Sequence, residues 1–385
     1  MRTTHLGSVL LLVATLSLGL AACGQSSGGG GAGGTAGPAG GEGGTASGGT
    51  SGGSGGSPST GGTASGGTTG ENTASGGAST GTGGRRTGSG GTRTGTGGAG
   101  TGGAIADAGS GSEGGSPGTP CTVGAWPAVD PALAGPYATV TETNVGPAVG
   151  AGPDGGAPVA FTMFRPKDLA ETELCHPVVT WGNGTGATPS MYKTLLNHLA
   201  THGFVVIASD SLNVAQGNPP PMVPGVAWVY EQNDNPESPL YRRIDTTRAG
   251  ATGHSQGGFA TTAAGGDSKI TTIAPLCGAS TQRNLHGPAL LLCGSNDTTV
   301  PCSSIQNAYN GISNQPVMLA ENLAADHANW ITFRGTTPST MEVAVVAWMR
   351  VHLMGDDALR PWFYGADCNL CQDPAWEVSR KMMDE

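Results

Sequence analysis

The segment ATGHSQGGFAT (residues 251–261) places Ser255 between glycines in the pattern Gly-x-Ser-x-Gly. The short apolar run before Ser255 predicts a strand, and the small residues after it predict a helix. A serine on such a strand-to-helix turn presents its Oγ at the edge of a sheet, and the flanking glycines remove side chains that would collide there. Because the chain holds 70 glycines, the pattern alone is weak, and the predicted strand and helix give it weight. We expect Ser255 to be a nucleophile; the alternative is a structural serine in a turn.

A serine hydroxyl is a poor nucleophile until a base removes its proton, and a histidine held by a carboxylate is the usual base. Downstream of Ser255, His286 and His327 precede the last predicted helix and His352 lies inside it. His327, in AADHANW after an apolar strand, is the expected base. His286 stands before a strand, at the opposite edge of the sheet, and His352 is expected to pack on its helix or face solvent.

The expected carboxylate is Asp297, which ends the apolar run ALLLCGSND at residues 289–297. It would hold the ring of His327 in the right tautomer and stabilise its protonated form. Asp326 adjoins His327, but neighbouring side chains point apart, so Asp326 is expected to be a loop residue. Asp210, at the end of another strand, is assigned mainly to turn structure, with a catalytic part as the alternative.

Acyl transfer also needs two N–H donors aimed at the developing oxyanion. The residue after the nucleophile supplies one of them from its backbone, and here that residue is Gln256. The second is expected from the glycine-rich turn WGNGTGA at 181–187, where Thr185 is the first choice and Asn183 the second. The alternative is that this turn only leads into the helix predicted at Pro189.

Apolar runs of five to eight residues alternate with helical stretches, which is typical of a largely parallel sheet covered on both faces. Two earlier segments, YATVTETNV and APVAFTMFRP, predict antiparallel strands that open the sheet, so we expect an α/β domain with eight strands. Ligand sites in such sheets lie at the carboxyl ends of the strands, where the three expected catalytic residues also fall. The later strands are predicted at 176–182, 204–210, 249–254, 270–278, 289–297 and 316–322. Helices are predicted at 189–201, 222–231, 256–265, 302–312 and 338–353.

Residues 1–22 contain the charged residue Arg2 followed by an apolar run, which is typical of a secretory signal. The apolar run is too short for a membrane-spanning helix. The residues LAAC at 20–23 resemble the lipobox of bacterial lipoproteins, so Cys23 is expected to carry the lipid. The alternative is an ordinary secreted protein. Gly24 after the cysteine favours the outer membrane, by the sorting habit of such lipoproteins.

Residues 23–118 are almost wholly Gly, Ser, Thr and Ala without apolar periodicity, so we expect a flexible linker. The remainder, 119–385, is one domain's worth of chain. Charges before it cancel, so the whole formal charge of -10 lies on this domain, and nothing indicates nucleic acid. No later stretch approaches about 18 apolar residues, so we expect membrane attachment through the N-terminal lipid alone.

Seven cysteines follow Cys23, and an exported domain favours disulfides. Spacing does not determine their connectivity. A zinc site at CNLC (368–371) would need two further ligands nearby, and no second pair of that spacing exists, so no metal is expected. The expected pairs are Cys368 with Cys371, Cys293 with Cys302, and Cys121 with Cys175, which leaves Cys277 as a buried thiol.

Several blocks of the sequence and the predicted order of Ser255, Asp297 and His327 resemble the α/β-hydrolase superfamily. The resemblance is closer to the cutinase-like and poly(ethylene terephthalate) hydrolase-like branch of that superfamily, with its dienelactone-hydrolase-related members. The resemblance covers nearly all of 135–385 and is carried by LATHGFVVIASD, YRRIDTTRAGATGHSQGG, GSNDTTVP and VVAWMRVHLMGDD. It implies an α/β-hydrolase fold with Ser255, Asp297 and His327 as the triad. It also implies that the N–H of Gln256 joins the oxyanion hole.

The sequence departs from that family where the substrate would be held. Thr185 stands where the family has an aromatic residue, and Ala279 stands where a tryptophan is usual. His254 takes the place of the tryptophan or histidine before the nucleophile. The tryptophans that could line the site instead, each otherwise a packing residue, are Trp181, Trp228 and Trp330.

The expected function is that of a serine carboxylic-ester hydrolase, cutinase-like or polyesterase-like, which acts through an acyl-enzyme and needs no cofactor. Its substrate is expected to be a small-molecule or polymer ester. The protein is expected to be a monomer anchored at a bacterial outer membrane or cell surface. The alternatives are hydrolysis of a lactone, thioester or amide by the same triad, and a surface binding module without catalysis.

Overall fold

The computed structural model describes residues 120–150, 157–217, 220–332 and 336–383. The predicted signal segment 1–22, the lipid attachment at Cys23 and the linker 23–118 lie outside these ranges. Among the described residues, no helix combines the length and the apolar composition that a bilayer crossing requires.

Nine strands form one sheet within the described part of the chain. They are β1 (Thr139–Val149), β2 (Val159–Pro166), β3 (His176–Gly182), β4 (Val205–Ser209), β5 (Ile244–His254), β6 (Ile270–Leu276), β7 (Ala289–Gly294), β8 (Val317–Asn322) and β9 (Trp376–Lys381). Across the sheet they stand in the order β1-β2-β4-β3-β5-β6-β7-β8-β9. The six strands from β4 to β8 in that order run parallel, and β1, β2 and β9 add antiparallel edges.

The strand predictions are confirmed for the parallel core and for the two opening strands. Strand β3 keeps its predicted bounds, whereas β5 begins at Ile244 instead of residue 249. The expectation of eight strands is wrong, because Trp376–Lys381 adds β9 beside β8. This edge strand is paired on one side only and is mostly half-buried, so its sequence WEVSRK lacks the apolar run of a central strand.

Burial on both faces explains the continuous apolar runs of the central strands, since every residue of β3, β4 and β7 is buried. Successive side chains of a strand point to opposite faces. Val179 and Leu290 accordingly belong to one apolar cluster, and Val178 and Leu291 belong to a second cluster across the sheet.

Helices cover both faces of the sheet, and the predicted helix positions are confirmed. The prediction at 189–201 becomes a 3-10 turn, Pro189–Tyr192, followed by α1. The last predicted helix begins at a capping box of Ser339 and Glu342 and continues past its α-helical part as a π-helical turn to Met354. The helices are α1 (Lys193–Thr201), α2 (Val223–Asn233), α3 (Gln256–Ala264), α4 (Cys302–Gly311), α5 (Thr340–Met349) and α6 (Asn369–Gln372). Buried residues of α1 and α5 pack in the first apolar cluster, and those of α2, α3 and α4 pack in the second.

The expected disulfides are confirmed, as is the buried free thiol of Cys277. The pair Cys121–Cys175 fastens the first described residues to the segment just before β3, with a separation of 54 residues. The other pairs are Cys293–Cys302 and Cys368–Cys371.

Removing the Cys121–Cys175 disulfide should lower the stability of the domain. We expect the double variant Cys121→Ala/Cys175→Ala to lose about 2–5 kcal/mol in its free energy of unfolding, measured by urea denaturation, because a long closed loop restricts the unfolded chain. The matched control is Cys368→Ala/Cys371→Ala, whose bridge spans only 3 residues and should contribute less. Equal losses for the two double variants would contradict this account.

Candidate active site

Three side chains predicted from the sequence meet at the carboxyl edge of the sheet. Ser255 follows β5, Asp297 lies in the turn after β7, and His327 lies in the loop after β8. Nδ1 of His327 is 2.7 Å from Oδ2 of Asp297, and Nε2 of His327 is 3.0 Å from Oγ of Ser255. These hydrogen-bonding distances align a hydroxyl, an imidazole and a carboxylate in the order that nucleophile activation requires.

The carboxylate of Asp297 sets the tautomer of His327. An ionised carboxylate can only accept hydrogen bonds, so Nδ1 of His327 donates to it and Nε2 presents a lone pair to the hydroxyl of Ser255. Asp297 is itself 4% exposed, and its second oxygen, Oδ1, accepts the backbone N–H groups of Thr299 and Val300 at 2.8 Å each. The carboxylate is therefore held in place from both oxygens.

Ser255 occupies a strained turn between β5 and α3. Its φ of 55° and ψ of -116° lie in a region that residues with a Cβ seldom adopt. Two hydrogen bonds hold the turn: the N–H of Ser255 donates to the carbonyl of Leu276 at 2.9 Å, and the N–H of Gly258 donates to the carbonyl of Ser255 at 2.9 Å. Strain of this kind persists only where the surroundings impose it, and here it exposes the hydroxyl at the sheet edge.

Gly257 allows α3 to approach β3 closely behind the nucleophile. A Cβ at Gly257 would lie 1.9 Å from the carbonyl oxygen of Gly182 and 2.7 Å from that of Asn183. Both neighbours are backbone atoms at the end of β3, so neither can move aside without shifting the strand. Backbone packing therefore requires glycine at position 257, two residues after Ser255.

The variant Gly257→Ala should be strongly destabilised. We expect it to lose about 3 kcal/mol or more in its free energy of unfolding, because the added methyl group overlaps strand backbone. The control is Gly365→Ala, where φ is +84° but nothing lies within 4 Å of the added Cβ. That control should cost only about 1–2 kcal/mol, from its left-handed backbone. Urea denaturation of both variants measures the difference, and a Gly257→Ala protein as stable as Gly365→Ala would refute the packing argument.

The other downstream histidines lie away from this site. His286 is exposed, and its Nε2 lies 3.2 Å from the carbonyl of Gly266. His352 packs against the ring of Trp348 at a centroid distance of 4.2 Å, and burial lowers its pKa to about 3. Both therefore occupy the packing or surface positions that were expected of them.

The rival carboxylates also have other partners. Oδ1 of Asp326 accepts the N–H groups of Ala328 and Asn329 at 2.8 and 2.7 Å, and these bonds lower the pKa of Asp326. Asp210 accepts the hydroxyl of Thr162 at 2.8 Å, and burial raises the pKa of its carboxyl group. Asp326 shapes the loop that carries His327, and Asp210 belongs to the turn after β4.

Two backbone amides remain as the expected oxyanion donors. Gln256 is the first residue of α3, so its N–H has no carbonyl acceptor within the helix. In the turn after β3, the N–H groups of Gly184, Gly186 and Ala187 donate to partners in the protein. The N–H of exposed Thr185 makes no hydrogen bond to any described residue. The donor assignment of Gln256 and Thr185 stays a prediction.

The side chain of Asn183 stabilises the turn after β3. It is fully buried, its Nδ2 donates to the carbonyl of Ser209 at 2.6 Å, and its Oδ1 accepts from Nε1 of Trp181 at 2.9 Å. The second-choice residue for the oxyanion hole thus ties this turn to the end of β4.

The tryptophans are packing residues, so the idea that Trp181 and Trp330 line the site is wrong. Trp181 is fully buried beneath the sheet edge, and Trp330 is 4% exposed. Nε1 of Trp330 donates to the carbonyl of His327 at 3.2 Å, so this ring supports the histidine loop from behind. Trp228 is partly buried and packs in the second apolar cluster.

The sequence did not predict that His254 and Cys277 pack together beneath Ser255 and His327. The ring of His254 lies 4.8 Å from that of His327, between centroids, and the thiol of Cys277 is fully buried beside both. The nearest ligand-type atoms of these three residues lie within 4.8 Å of one another. Burial raises the pKa of the Cys277 thiol, and both rings already hold hydrogen bonds, so a metal ion here would have to displace them.

Comparison with known proteins identifies a family for this chain. A comparison with curated proteins found no significant match. The family model for PETase, described as PET hydrolase-like, matches residues 121–378, which include strands β1 to β8 and the three aligned side chains. Both the predicted α/β-hydrolase fold and the predicted resemblance are thereby confirmed. The chain belongs to the PET hydrolase-like family, and that membership indicates an ester hydrolase.

Proposed function

We propose that this protein is a serine carboxylic-ester hydrolase that acts through an acyl-enzyme on Ser255. The observation that carries the proposal is the position of His327, hydrogen bonded at once to Oγ of Ser255 and to Oδ2 of Asp297. Membership of the PET hydrolase-like family supports the same reaction class.

The reaction would begin when Oγ of Ser255 attacks the ester carbonyl carbon while Nε2 of His327 takes the hydroxyl proton. The tetrahedral intermediate then collapses, its C–O bond to the leaving alcohol breaks, and His327 gives its proton to that alcohol. Water attacks the acyl-enzyme in the same way, with His327 as base. The acid leaves and Ser255 regains its proton. Asp297 keeps the ring oriented and stabilises its charged form throughout.

The oxyanion of each intermediate would accept hydrogen bonds from the N–H of Gln256 and from the N–H of Thr185. Preorganised donors of this kind act where charge develops, and losing one typically raises the barrier by about 3–4 kcal/mol. The helix that begins at Gln256 adds the positive end of its dipole to the same place. No step of this mechanism needs a cofactor.

We also propose that Cys23 is lipidated and that the protein is held at a bacterial outer membrane or cell surface. In a Gram-negative host, the wild-type chain should fractionate with membranes, whereas Cys23→Ala should lose the lipid and shift to the soluble fraction. Equal membrane fractions for both proteins, measured by immunoblot, would contradict the anchor.

Turnover of p-nitrophenyl acetate and p-nitrophenyl butyrate by the full chain tests the ester hydrolase directly. We expect saturable release of p-nitrophenol that a fluorophosphonate abolishes. A panel of matched lactone, thioester and anilide substrates separates the other acyl bonds. Fluorophosphonate labelling without ester turnover would reject an ester substrate in favour of another acyl bond, and absence of both labelling and turnover would reject catalysis.

A further inference from the structure

His254, the residue before the nucleophile, is buried beneath the site and hydrogen bonded through both ring nitrogens. It is 5% exposed. Its Nε2 lies 2.8 Å from the backbone carbonyl oxygen of His327, and its Nδ1 lies 2.9 Å from Oη of Tyr192. The ring therefore bridges the loop of the catalytic base and the turn that precedes α1.

The direction of each hydrogen bond follows from the acceptor at one end. A carbonyl oxygen can only accept, so Nε2 of His254 donates to His327, and a neutral ring then has Nδ1 as its acceptor. The hydroxyl of Tyr192 must donate to that nitrogen. Burial lowers the pKa of His254 to about 4 and raises that of Tyr192 to about 12, so both groups stay neutral near pH 7.

Tyr192 extends the connection to the turn expected to form the oxyanion hole. Its Oη accepts the N–H of Gly184 at 3.1 Å, and Gly184 is the neighbour of Thr185 in the chain. The approach is close, because a Cβ at Gly184 would lie 2.9 Å from Oη of Tyr192 and 3.0 Å from Nδ1 of His254. The glycine thus lets its backbone reach both members of the network.

At the other end of the network, two side-chain N–H groups donate to the backbone carbonyl oxygen of His327 and hold its loop. The carbonyl oxygen of His327 accepts Nε2–H of His254 at 2.8 Å and Nε1–H of Trp330 at 3.2 Å. The carbonyl belongs to the same residue whose ring must reach Ser255, so fixing it restricts the backbone from which that ring projects.

We propose that Tyr192 and His254 are positioning residues which hold the oxyanion turn and the His327 loop in register through one continuous hydrogen-bonded network. The inference rests on the proposed function, because the relative position of the oxyanion turn and the His327 loop matters for catalysis only if both segments act on one acyl group. Small errors in the placement of catalytic groups are costly: a displacement of about 1 Å can reduce the rate about a hundredfold.

Three variants of the full chain test the network with p-nitrophenyl butyrate. Tyr192→Phe removes only the hydroxyl, and His254→Leu removes the ring with its donor, so each should lower kcat by about 10- to 100-fold with KM changed less than about twofold. His254→Gln restores an N–H donor of similar reach towards the carbonyl of His327. It should recover at least about tenfold in kcat over His254→Leu.

The matched control is Tyr230→Phe, since the hydroxyl of Tyr230 is buried without a partner among the described residues. It should keep wild-type kcat. A kcat within twofold of wild type for Tyr192→Phe, or His254→Gln as slow as His254→Leu, overturns the proposal. If both His254 variants fail to fold, Tyr192→Phe decides alone.

Failure of this inference is distinguishable from failure of the proposed function. The rate of Ser255 modification by a fluorophosphonate is read by mass spectrometry in every variant, independently of any ester substrate. Unmodified wild-type protein would reject the proposed function. A wild-type protein that is modified and turns over ester, with Tyr192→Phe equal to it in both assays, would reject only the network.

Discussion

Replacing Ser255 with alanine should reduce kcat for p-nitrophenyl butyrate about a million-fold, because the proposed acyl-enzyme forms on the hydroxyl that the substitution removes. The loss should appear in kcat with little change in KM, since the hydroxyl acts on the reacting carbon and contributes little to holding the rest of the ester. Initial rates under saturating ester, corrected for spontaneous hydrolysis, measure it. The effect exceeds any that we expect from a residue beside the triad.

The matched control for Ser255→Ala is Ser280→Ala, which removes an exposed hydroxyl in the loop after β6. We expect this control to keep the wild-type rate. A Ser255→Ala protein that retains more than about 1% of wild-type kcat would mean that another group carries the chemistry, because the loss of a nucleophile is far larger than that.

Replacing Asp297 with asparagine should lower kcat about ten-thousand-fold while leaving the fold intact. The amide would present an N–H to Nδ1 of His327 where the carboxylate now accepts at 2.7 Å. The ring would then carry its proton on Nε2, and the lone pair that should face Ser255 would be lost. Stopped-flow and steady-state ester assays measure the decrease, and the melting temperature of the same preparation monitors folding.

Asp326→Asn is the control for this second substitution, because Asp326 adjoins His327 in sequence but its carboxylate accepts the backbone N–H groups of Ala328 and Asn329 in its own loop. An amide oxygen can accept those bonds too, so the control should lose less than about tenfold. A larger loss in Asp326→Asn than in Asp297→Asn would exchange the roles assigned to the two carboxylates.

Ser255, Asp297 and His327 could be predicted from the sequence because each lies beside a recognisable local pattern, either flanking glycines or an apolar strand. The glycines around Ser255 have a backbone reason, since Gly257 packs against the carbonyl of Gly182. The buried strands read as apolar runs, so the ends of β7 and β8 could be placed and, with them, Asp297 and His327. The predicted export of the domain favoured disulfides, although spacing left their connectivity open, and the three expected pairs were confirmed.

The rest depends on contacts between distant segments that leave no pattern in the chain. Tyr192 and His254 are 62 residues apart, and only the packing of the 3-10 turn against the end of β5 brings their polar atoms to 2.9 Å. The burial of Trp330 depends likewise on how the loop after β8 folds back. Strand β9 escaped prediction because an edge strand needs no continuous apolar face.

The most direct test of the account is the site of covalent modification in the full chain. Treatment with a fluorophosphonate followed by intact-mass measurement and peptide mapping reports which hydroxyl is activated. We predict one adduct per chain, located on Ser255, with modification slowed strongly in Asp297→Asn and absent in Ser255→Ala. An adduct on a different serine, or an unmodified chain that still hydrolyses p-nitrophenyl esters, would contradict the claim that Ser255, His327 and Asp297 form the catalytic site.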